Sequence, residues 1–418
     1  MAKFKQTDIG EIPVDWSVKS LSEIADVIDP YPSHRAPEIQ KDGFPYLGSG
    51  DFDEDGRIVN VSRYVGEAAI IEQEAIFSIE KGDLAIGRVG TVGKIIKLKS
   101  GQRYAVSPTM AIIKPKIESD YLVQALRSEY FQKQLGENTL GSTRPAVGIM
   151  VVRKMLVAQP QEGERSRIGS ALSCVDTAIA QTNHIIEQAR QVKRGLTQEL
   201  LTRGIGHKKF KQTEIGEIPE EWDVVELGTV ADDFITGGTP STSVPEYWAG
   251  NIYWTRSASI TKRLVEKGER FISDKGVKNS ATAIVPKDNV LIATRVSIGN
   301  IGINTIDIAI SQDLTGIVLN KDKVTEGYLY WALLFSHHRI ASLAQGSTIQ
   351  GLSLKDLKKF TIPMPKKIEE QKYIDQIITT SDDKIEAEIK KRSQLEQLKK
   401  GLMQDLLTGK VRFPEFAK

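Results

Sequence analysis

The peptide KFKQTDIGEIPVDW at residues 3–16 returns as KFKQTEIGEIPEEW at residues 209–222. Eleven of the fourteen positions are identical, and Asp8 and Asp15 are replaced by Glu214 and Glu221. Four further matches follow in the same order at separations close to 206 residues, which indicates a tandem duplication. They pair LAIGRVGTVGKI (84–95) with LIATRVSIGNIGI (291–303), YAVSP (104–108) with IAISQ (308–312), GSTRPAVGIMVVRKMLVAQP (141–160) with GSTIQGLSLKDLKKFTIPMP (346–365), and VKRGLTQELLTRG (192–204) with LKKGLMQDLLTGK (398–410).

The composition is that of a globular chain of two to four domains, with 418 residues, 40% hydrophobic and 26% charged. The single cysteine, Cys174, permits no internal disulfide and fits a cytoplasmic location. No apolar run approaches the roughly 20 residues that span a membrane. The net charge of +2 neither demands nor excludes nucleic acid, so a DNA-binding surface would have to be local or completed by a partner.

Each copy of the repeat combines a globular part and a long helix. The globular part alternates short β-prone runs and turn signals with stretches of helical spacing, which predicts a mixed α/β domain. We therefore expect an α+β fold with five segments. They are a first globular domain at 1–160, a helix at 161–206, a second globular domain at 207–365, a second helix at 366–410 and a tail at 411–418.

The apolar residues of both helices recur with a 4–3 spacing that is typical of a coiled coil. Helices of about 40 residues reach about 60 Å, too far for one domain to bury, so each should pair with the other. The predicted seam consists of Ile168, Leu172, Val175, Ile179, Ile186, Leu196, Leu200, Ile374, Ile378, Ile385, Ile389, Leu395, Leu398, Leu402 and Leu406.

The position of the repeated peptide gives the direction of that pairing. The peptide follows the first helix and begins the second domain, while the first domain begins with the other copy. A pseudo-two-fold arrangement with an antiparallel coiled coil satisfies both facts, and it places the two terminal segments of the chain close together. The peptide is then the joint between helix and domain, with Trp16 and Trp222 as anchors.

Several stretches resemble the specificity subunits of type I restriction-modification systems, and the resemblance covers nearly the whole chain. These stretches are TGGTPSTSVPEYWAGNIYWTRSASI (236–260), RVSIGNIG (295–302), AISQDL (309–314) and GSTIQGLSLKDLKKFTIPMPKKIEEQ (346–371). The first copy departs from the pattern, with DPYPSHRAPE (29–38) where the second has TGGTPSTSVPE. Such divergence is expected if two target-recognition domains read different DNA sequences.

The resemblance implies a non-catalytic subunit that reads a bipartite, asymmetric DNA target with one recognition domain per half-site. It also implies that two modification (adenine methyltransferase) subunits dock through the helices and that restriction subunits, with translocase and nuclease activity, join a larger complex. S-adenosylmethionine, ATP and Mg²⁺ would belong to those partners, with no cofactor, metal or catalytic residue in this chain and no membrane contact.

The candidate DNA contacts are basic and polar residues in predicted loops, together with two aromatic residues. Arg suits the guanine edge through a bidentate contact, while Lys, Ser and Thr more often hold phosphate. Tyr46 aligns with Trp254, and Ser49 with Ser257. For Trp254, burial in the core of the domain is the favoured alternative to a contact with a base. The candidates are Ser33, His34, Arg35, Tyr46, Ser49, Arg88, Lys94 and Arg144 in the first domain, and Thr239, Ser241, Thr242, Trp254, Arg256, Ser257, Lys262 and Arg295 in the second.

Two other functional classes remain open at the level of sequence. An enzyme is suggested by GRVGTVGKI (87–95), but a phosphate-binding loop needs Gly where Arg88 stands and Ser or Thr where Ile95 stands. A coiled-coil tether without DNA binding is permitted by the helices. Two divergent domains within a shared frame argue against a tether, which needs no such variation.

Overall fold

The computed structural model describes residues 3–416 apart from 33–35, 54, 142–144 and 344–350. The chain forms two compact units: unit 1 comprises Met1–His184 with Ile389–Lys418, and unit 2 comprises Ile185–Glu388. Each unit contains one globular domain of the repeat together with the first part of one long helix and the last part of the other. Among the described residues, no helix is long and apolar enough to cross a membrane.

Unit 1 is a mixed α/β structure. Its strands are β1 (Phe4–Thr7), β2 (Gly10–Pro13), β3 (Ser17–Ser20), β4 (Ala25–Ile28), β5 (Ile39–Gln40), β6 (Phe44–Leu47), β7 (Tyr64–Val65), β8 (Leu84–Gly87), β9 (Ile95–Lys97), β10 (Ala105–Val106), β11 (Met110–Pro115) and β12 (Leu156–Gln159). Its own helices are α1 (Leu21–Ile24), α2 (Glu67–Glu74), α3 (Ser119–Arg127), α4 (Glu129–Glu137) and α5 (Ile149–Lys154). The long helix α6 (Glu162–Thr202) contributes residues to both units.

Unit 2 repeats this plan. Its strands are β13 (Phe210–Thr213), β14 (Gly216–Pro219), β15 (Asp223–Glu226), β16 (Ala231–Thr236), β17 (Ile252–Thr255), β18 (Leu264–Val265), β19 (Arg270–Ile272), β20 (Ala283–Val285), β21 (Asn289–Ala293), β22 (Ile301–Asn304), β23 (Ile308–Ile310), β24 (Leu314–Leu319) and β25 (Thr361–Met364). Its helices are α7 (Leu227–Val230), α8 (Asp274–Lys278), α9 (Glu326–Phe335), α10 (His337–Leu343) and α11 (Leu354–Lys359). The second long helix, α12 (Ile368–Leu406), also belongs to both units.

Two sheets form the centre of each unit. In unit 1 their strand orders are β4-β11-β8-β9 and β10-β6-β7-β5, and in unit 2 they are β16-β24-β21-β22-β18 and β19-β17-β23-β20. Successive side chains of a strand point to opposite faces. Leu291 therefore packs in a core between the sheets, while Val290 and Ile292 pack in a second core with α9 and the long helices. Burial on both faces explains why the central strands are continuous apolar runs.

The repeated peptide forms the same hairpin in both units. Strands β1 and β2 pair from Phe4↔Pro13 to Thr7↔Gly10, and β13 and β14 pair with identical spacing. The Thr7 hydroxyl donates to the Gly10 carbonyl at 2.6 Å, as Thr213 does to Gly216. Gly10 has φ of 103°, a left-handed conformation that favours glycine and permits the two-residue turn.

In unit 1 a buried carboxylate joins the hairpin to the start of α6. Glu164, which is 1% exposed, accepts a 2.9 Å hydrogen bond from Trp16 Nε1. Arg412 donates to both Glu164 oxygens at 2.7 Å and to both Asp15 oxygens at 2.8 and 3.0 Å. The terminal segments of the chain therefore meet at this joint, as predicted, and Trp16 is its anchor.

Unit 2 builds the equivalent joint at the start of α12. Glu370 Oε1 lies 3.2 Å from Trp222 Nε1 and 2.8 Å from His207 Nε2. Gly204 ends the preceding helix with φ of 65°, and a Cβ there would lie 2.7 Å from both Glu370 and Trp222. The anchoring role predicted for Trp222 is thus confirmed, and the close approach requires glycine.

The long helices run antiparallel within each unit, which confirms the predicted direction. In unit 1, Lys399 Nζ lies 2.7 Å from Asp176 Oδ1, and Arg392 Nη1 lies 3.4 Å from Asn183 Oδ1. One number rises as the other falls, as antiparallel neighbours require. In unit 2, Lys193 forms an ion pair with Asp382.

Most predicted seam residues lie between the helices or against the domain at their ends. Buried members are Ile168, Leu172, Ile186, Leu200, Ile374, Ile378, Ile385 and Leu406, and half-buried members are Val175, Ile179, Leu196, Ile389, Leu395 and Leu402. Leu398 differs from the prediction because it is 51% exposed. The next residue, Lys399, turns inward to Asp176 instead.

Candidate nucleic-acid interface

Four connections of unit 2 emerge at one edge of its sheets, called edge 2 here. Thr236 at the end of β16 and Ala293 at the end of β21 pair with the first two residues of β24. Thr255 at the end of β17 pairs with the last residue of β23. The loops after β16, β17, β21 and β23 therefore lie together, and they contain the predicted contacts of the second copy except Trp254, which lies in β17.

The loop after β16 presents hydroxyl groups at edge 2. Thr239, Ser241 and Thr242 are exposed. The Thr239 hydroxyl donates to Gln312 Oε1 at 2.6 Å, which ties this loop to the one after β23. Exposed hydroxyl and amide groups on a backbone held at one end can bind phosphate oxygens or base edges.

The cations of edge 2 differ in how they are held. Arg256 Nε donates to Glu269 Oε2 at 2.8 Å, and the Ser259 hydroxyl donates to the same oxygen at 2.6 Å. The Ser259 hydrogen bond, followed by Arg256, lowers the pKa of Glu269. Lys262 and Arg295 are exposed on neighbouring loops. All three predicted cations of edge 2 are therefore exposed, and Arg256 is held in place by a carboxylate.

Unit 1 has the corresponding edge, called edge 1, where β4, β6, β8 and β10 end. Arg88 follows β8 directly and is only 12% exposed, with Nη2 at 3.0 Å from the Pro108 carbonyl and 3.4 Å from Asp29. Lys94 Nζ donates to the Phe52 carbonyl. Arg88 and Lys94, the predicted cations of edge 1 that the structure describes, therefore bind the backbone of its loops.

The matching domain model places both copies in one family. The model, described as the type I restriction modification DNA specificity domain, matches residues 13–191 and again 219–397. The chain belongs to the family of type I restriction-modification specificity subunits.

Two archaeal relatives are similar over almost their full length. A Methanocaldococcus jannaschii protein assigned to the type I restriction enzyme MjaX as its specificity subunit is 30% identical, covering 98% of this chain and 96% of the relative. The MjaVIII specificity subunit of the same organism is 26% identical with the same coverage. The fold is that of the type I S subunit from M. genitalium, with a TM-score of 0.62 at 15% identity over 97% of this chain and 98% of the other.

Specificity subunits are the non-catalytic DNA-recognition subunits of type I systems, so this chain is not an enzyme, and each of its two repeats contains a target-recognition domain. Proteins of this class act on DNA together with the other restriction-modification subunits. Edges 1 and 2 are the parts of this specificity subunit where loops of unlike sequence stand on a common frame.

Four of the predicted contacts are buried, which corrects the sequence interpretation. Tyr46, Ser49, Trp254 and Ser257 are 3%, 4%, 5% and 1% exposed. Their alignment holds, since Tyr46 and Trp254 both pair with an alanine, Ala105 or Ala309, of the parallel neighbouring strand. Their side chains are packed in the interior next to the edge loops, so a DNA base cannot contact them unless those loops rearrange.

Arg88 and Arg295 are not structurally equivalent, although the sequence match aligned them. Gly87 pairs with the first residue of β11 and Ala293 with the first residue of β24, so Arg88 corresponds to Thr294. The sequence match is therefore one residue out of register at this strand. Arg295 is exposed on the loop after β21, whereas Arg88 is largely buried and hydrogen-bonded within the loops of edge 1.

Four predicted contacts, Ser33, His34, Arg35 and Arg144, lie outside the described residues. Sequence reasoning also missed residues that shape the edges, namely Asp29, Glu269 and Gln312. It searched for cations and hydroxyl groups, and these carboxylate and amide acceptors bind side chains of the edge itself. An acidic residue near a candidate arginine was the available signal for Glu269.

Proposed function

We propose that the specificity subunit reads a bipartite, asymmetric DNA sequence, with edge 1 reading one half-site and edge 2 the other. The observation that carries this proposal is divergence at equivalent positions of one backbone frame. Strand register matches Gly48 with Arg256 and Arg88 with Thr294. Two edges with the same backbone and different donors suit two different base sequences.

The contacts proposed for edge 2 are its exposed polar and basic side chains, Thr239, Ser241, Thr242, Arg256, Lys262 and Arg295. For edge 1 we propose that Arg88 and Lys94 hold the loops in place while Ser33, His34, Arg35 and Arg144 remain predicted contacts. Lys and Ser/Thr groups suit phosphate, and Arg256 suits a guanine because Glu269 fixes its guanidinium.

The long helices serve in this proposal as the spacer between the recognition domains. The proposed boundaries are 1–160 and 207–365 for the recognition domains, 161–206 and 366–410 for the spacer helices, and 411–418 for the tail. A helix holds a fixed length per residue, so it sets the gap between half-sites in a way that a flexible linker cannot.

We further propose that two modification subunits dock through the helices, one for each unit, and that restriction subunits complete the assembly. Each unit repeats the same joint of Glu, Trp and a basic residue, so one surface would be available twice. The partners would supply the S-adenosylmethionine, ATP and Mg²⁺ chemistry. A DNA target and a single cysteine, Cys174, favour the cytoplasm.

The test is to express the subunit with its own modification subunits in a host without adenine methylation and to sequence the methylated adenines. We expect one motif of two unlike halves with a fixed gap, and a complex of one specificity and two modification subunits by native mass spectrometry. An uninterrupted or symmetric motif would overturn the two-edge proposal. A complex with one modification subunit would overturn the docking proposal alone.

Filter binding separates DNA recognition from a tethering role. The complex should bind duplex DNA with an affinity that falls steeply as salt rises, because phosphate contacts release counterions. The chain without partners should bind more weakly, since its net charge is only +2. Equal retention of the target and of random duplex by the complex would favour the tether.

The spacer role is tested by lengthening both helices where the units divide, between His184 and Ile185 and between Glu388 and Ile389. Four added residues in each helix leave both units internally unchanged and add about 6 Å. At about 3.4 Å per base pair, the gap in the methylated motif should grow by about one to two base pairs. A gap of unchanged length would contradict the proposal.

A further inference from the structure

One arginine of each recognition domain occupies the same place in the strand register, although neither lies in one of the matched sequence stretches. The Tyr46 amide donates to the Arg63 carbonyl at 2.9 Å, across from the end of β6. In unit 2, Trp254 at the corresponding position pairs with Arg270, the first residue of β19. Strands β7 and β19 are antiparallel to β6 and β17, so both arginines lie where β6 and β17 end, at edges 1 and 2.

Both guanidinium groups stack on an aromatic ring. Arg63 Cζ lies 5.0 Å from the centre of the Tyr46 ring, and Arg270 Cζ lies 3.7 Å from that of Trp248. Trp248 packs edge-on against Trp254 at 5.3 Å, so the buried aromatic residue supports the stack in both domains. The ring attracts the cation above it, so each arginine side chain loses rotational freedom before any ligand arrives.

The donor groups of Arg63 and Arg270 are available for a ligand, as far as the described part of each domain shows. Neither guanidinium donates a hydrogen bond to any residue that the structure describes, and Arg63 has only an ion pair at 3.8 Å with Asp51. Both side chains are exposed. The neighbouring Arg256 is by contrast bound to Glu269. A flat, pre-positioned and exposed fork of donors fits the paired O6 and N7 acceptors of guanine in the major groove.

We propose that Arg63 and Arg270 are equivalent base-reading residues, each contacting a guanine in the half-site of its own domain. This inference rests on the proposed two-edge function and adds a residue pair to it. Stacking on Tyr46 or Trp248 sets the plane of the guanidinium, and the loops around it hold the DNA backbone. One shared arginine position and otherwise different loops would let the two domains read different sequences around a common guanine contact.

The experiment compares Arg63→Ala and Arg270→Ala in the complete complex, by methylated-adenine sequencing and by competition binding with every base pair of the target substituted in turn. Each variant should lose about tenfold to a hundredfold of its discrimination at one G·C pair, and the two should act in opposite half-sites. Arg63→Lys and Arg270→Lys keep the charge but lose the fork, so they should not restore discrimination.

The controls are Lys116→Ala and Lys321→Ala, which remove a cation just beyond β11 or β24, at the opposite end of each domain. They should leave discrimination unchanged. A loss of affinity that is uniform over all sequences and restored by lysine would overturn base reading in favour of a phosphate contact, and an unchanged motif would overturn any DNA contact. If an alanine variant unfolds at a lower temperature than the wild type, the discrimination measured for the corresponding lysine variant tests the proposal in its place. A bipartite wild-type motif that neither arginine affects would leave the two-edge function standing, whereas a wild-type complex without such a motif would refute that function.

Discussion

The joints of the two units each fix a hairpin to the start of a long helix, but they hold the central carboxylate with different numbers of hydrogen bonds. At the first, Glu164 is almost fully buried and receives two hydrogen bonds from Arg412, which also binds Asp15 through two more. At the second, the Glu370 side chain is 14% exposed and receives one bond from His207. The glutamate and the tryptophan are the same at both joints, and the basic residue differs.

This difference shows what the repeat conserves and what it leaves free. A carboxylate that accepts from an indole N–H is needed twice, because it fixes the hairpin to the start of a long helix. The basic residue differs between the joints. The more deeply buried Glu164 is paired with an arginine, and the less buried Glu370 is paired with a histidine. The hydrogen bonds of Glu164 raise the pKa of Arg412 above its ordinary value, so the arginine at this joint stays charged. An imidazole, by contrast, is charged only when it is protonated.

Removing the cation should separate the two joints most clearly. Arg412→Ala leaves a buried carboxylate with only the indole, so unit 1 should lose about 3–5 kcal/mol of unfolding free energy. His207→Ala should cost unit 2 about 1–2 kcal/mol, since Glu370 keeps Trp222 and gains water. Denaturant titration followed by hydrogen exchange of residues 10–16 and 216–222 measures both.

Lys410→Ala, an exposed cation two residues from Arg412, is the matched control and should change neither unit. Equal losses of unfolding free energy in Arg412→Ala and His207→Ala would show that burial of the carboxylate does not set how much the basic residue stabilises its joint.

The ion pairs between the long helices repeat the contrast on a smaller scale. Asp176 binds Lys399 at 2.7 Å and Gln124 at 2.6 Å, whereas Asp382, at 31% exposure, pairs with Lys193, whose ammonium also lies over Trp331. Asp176→Asn should cost about 2 kcal/mol, and Asp382→Asn about 1 kcal/mol.

The acid response should distinguish Asp176. Burial acts to raise its pKa, but Lys399, Gln124 and Arg127 outweigh burial and lower it. A lowered pKa gives stability that is present above the unfolded-state value near pH 4 and lost as the pH falls through the native value. Melting temperatures between pH 7 and 3 should therefore fall less steeply in Asp176→Asn than in the wild type. Parallel curves would contradict the assignment.

The smallest effects are expected on the outer faces of the helices. Leu398 and Val192 occupy equivalent helix positions and are 51% and 60% exposed. Leu398→Ser and Val192→Ser should each change unfolding free energy by less than about 0.5 kcal/mol, against about 2–4 kcal/mol for Leu406→Ala. Denaturant titration of the three variants is sufficient, and a large loss at Leu398 would restore it to the seam.

Much of this arrangement follows from the sequence because repetition and periodicity report global geometry. Two copies of a hairpin peptide and two apolar stripes were enough to predict the joints, the antiparallel helices and the roles of Trp16 and Trp222. A strict 4–3 spacing counted from Ile374 passes through Lys399 and not through Leu398, so the structure follows the spacing where the prediction followed the apolar residue type.

The edges were less predictable because an aligned residue type does not reveal its depth. Tyr46 and Trp254 read as polar or stacking candidates, yet cross-strand packing buries them. Arg63 and Arg270 escaped because the flanking residues diverged, and only strand register brings SRYVG (62–66) and ERFIS (269–273) into correspondence. Register depends on long-range pairing that local patterns do not encode.

Unit 2 is one continuous stretch of chain, whereas unit 1 unites residues before His184 with residues after Ile389. A nascent chain can thus finish its second lobe while the first still lacks its closing helix. At about 5–20 residues per second, the ribosome needs about 10–40 s to translate the intervening 200 or so residues. During that interval the apolar stripe around Leu172 is exposed, because Leu406 of the same hydrophobic core has not yet been made. Unit 1 is therefore the part of the nascent chain on which we expect chaperones to bind most.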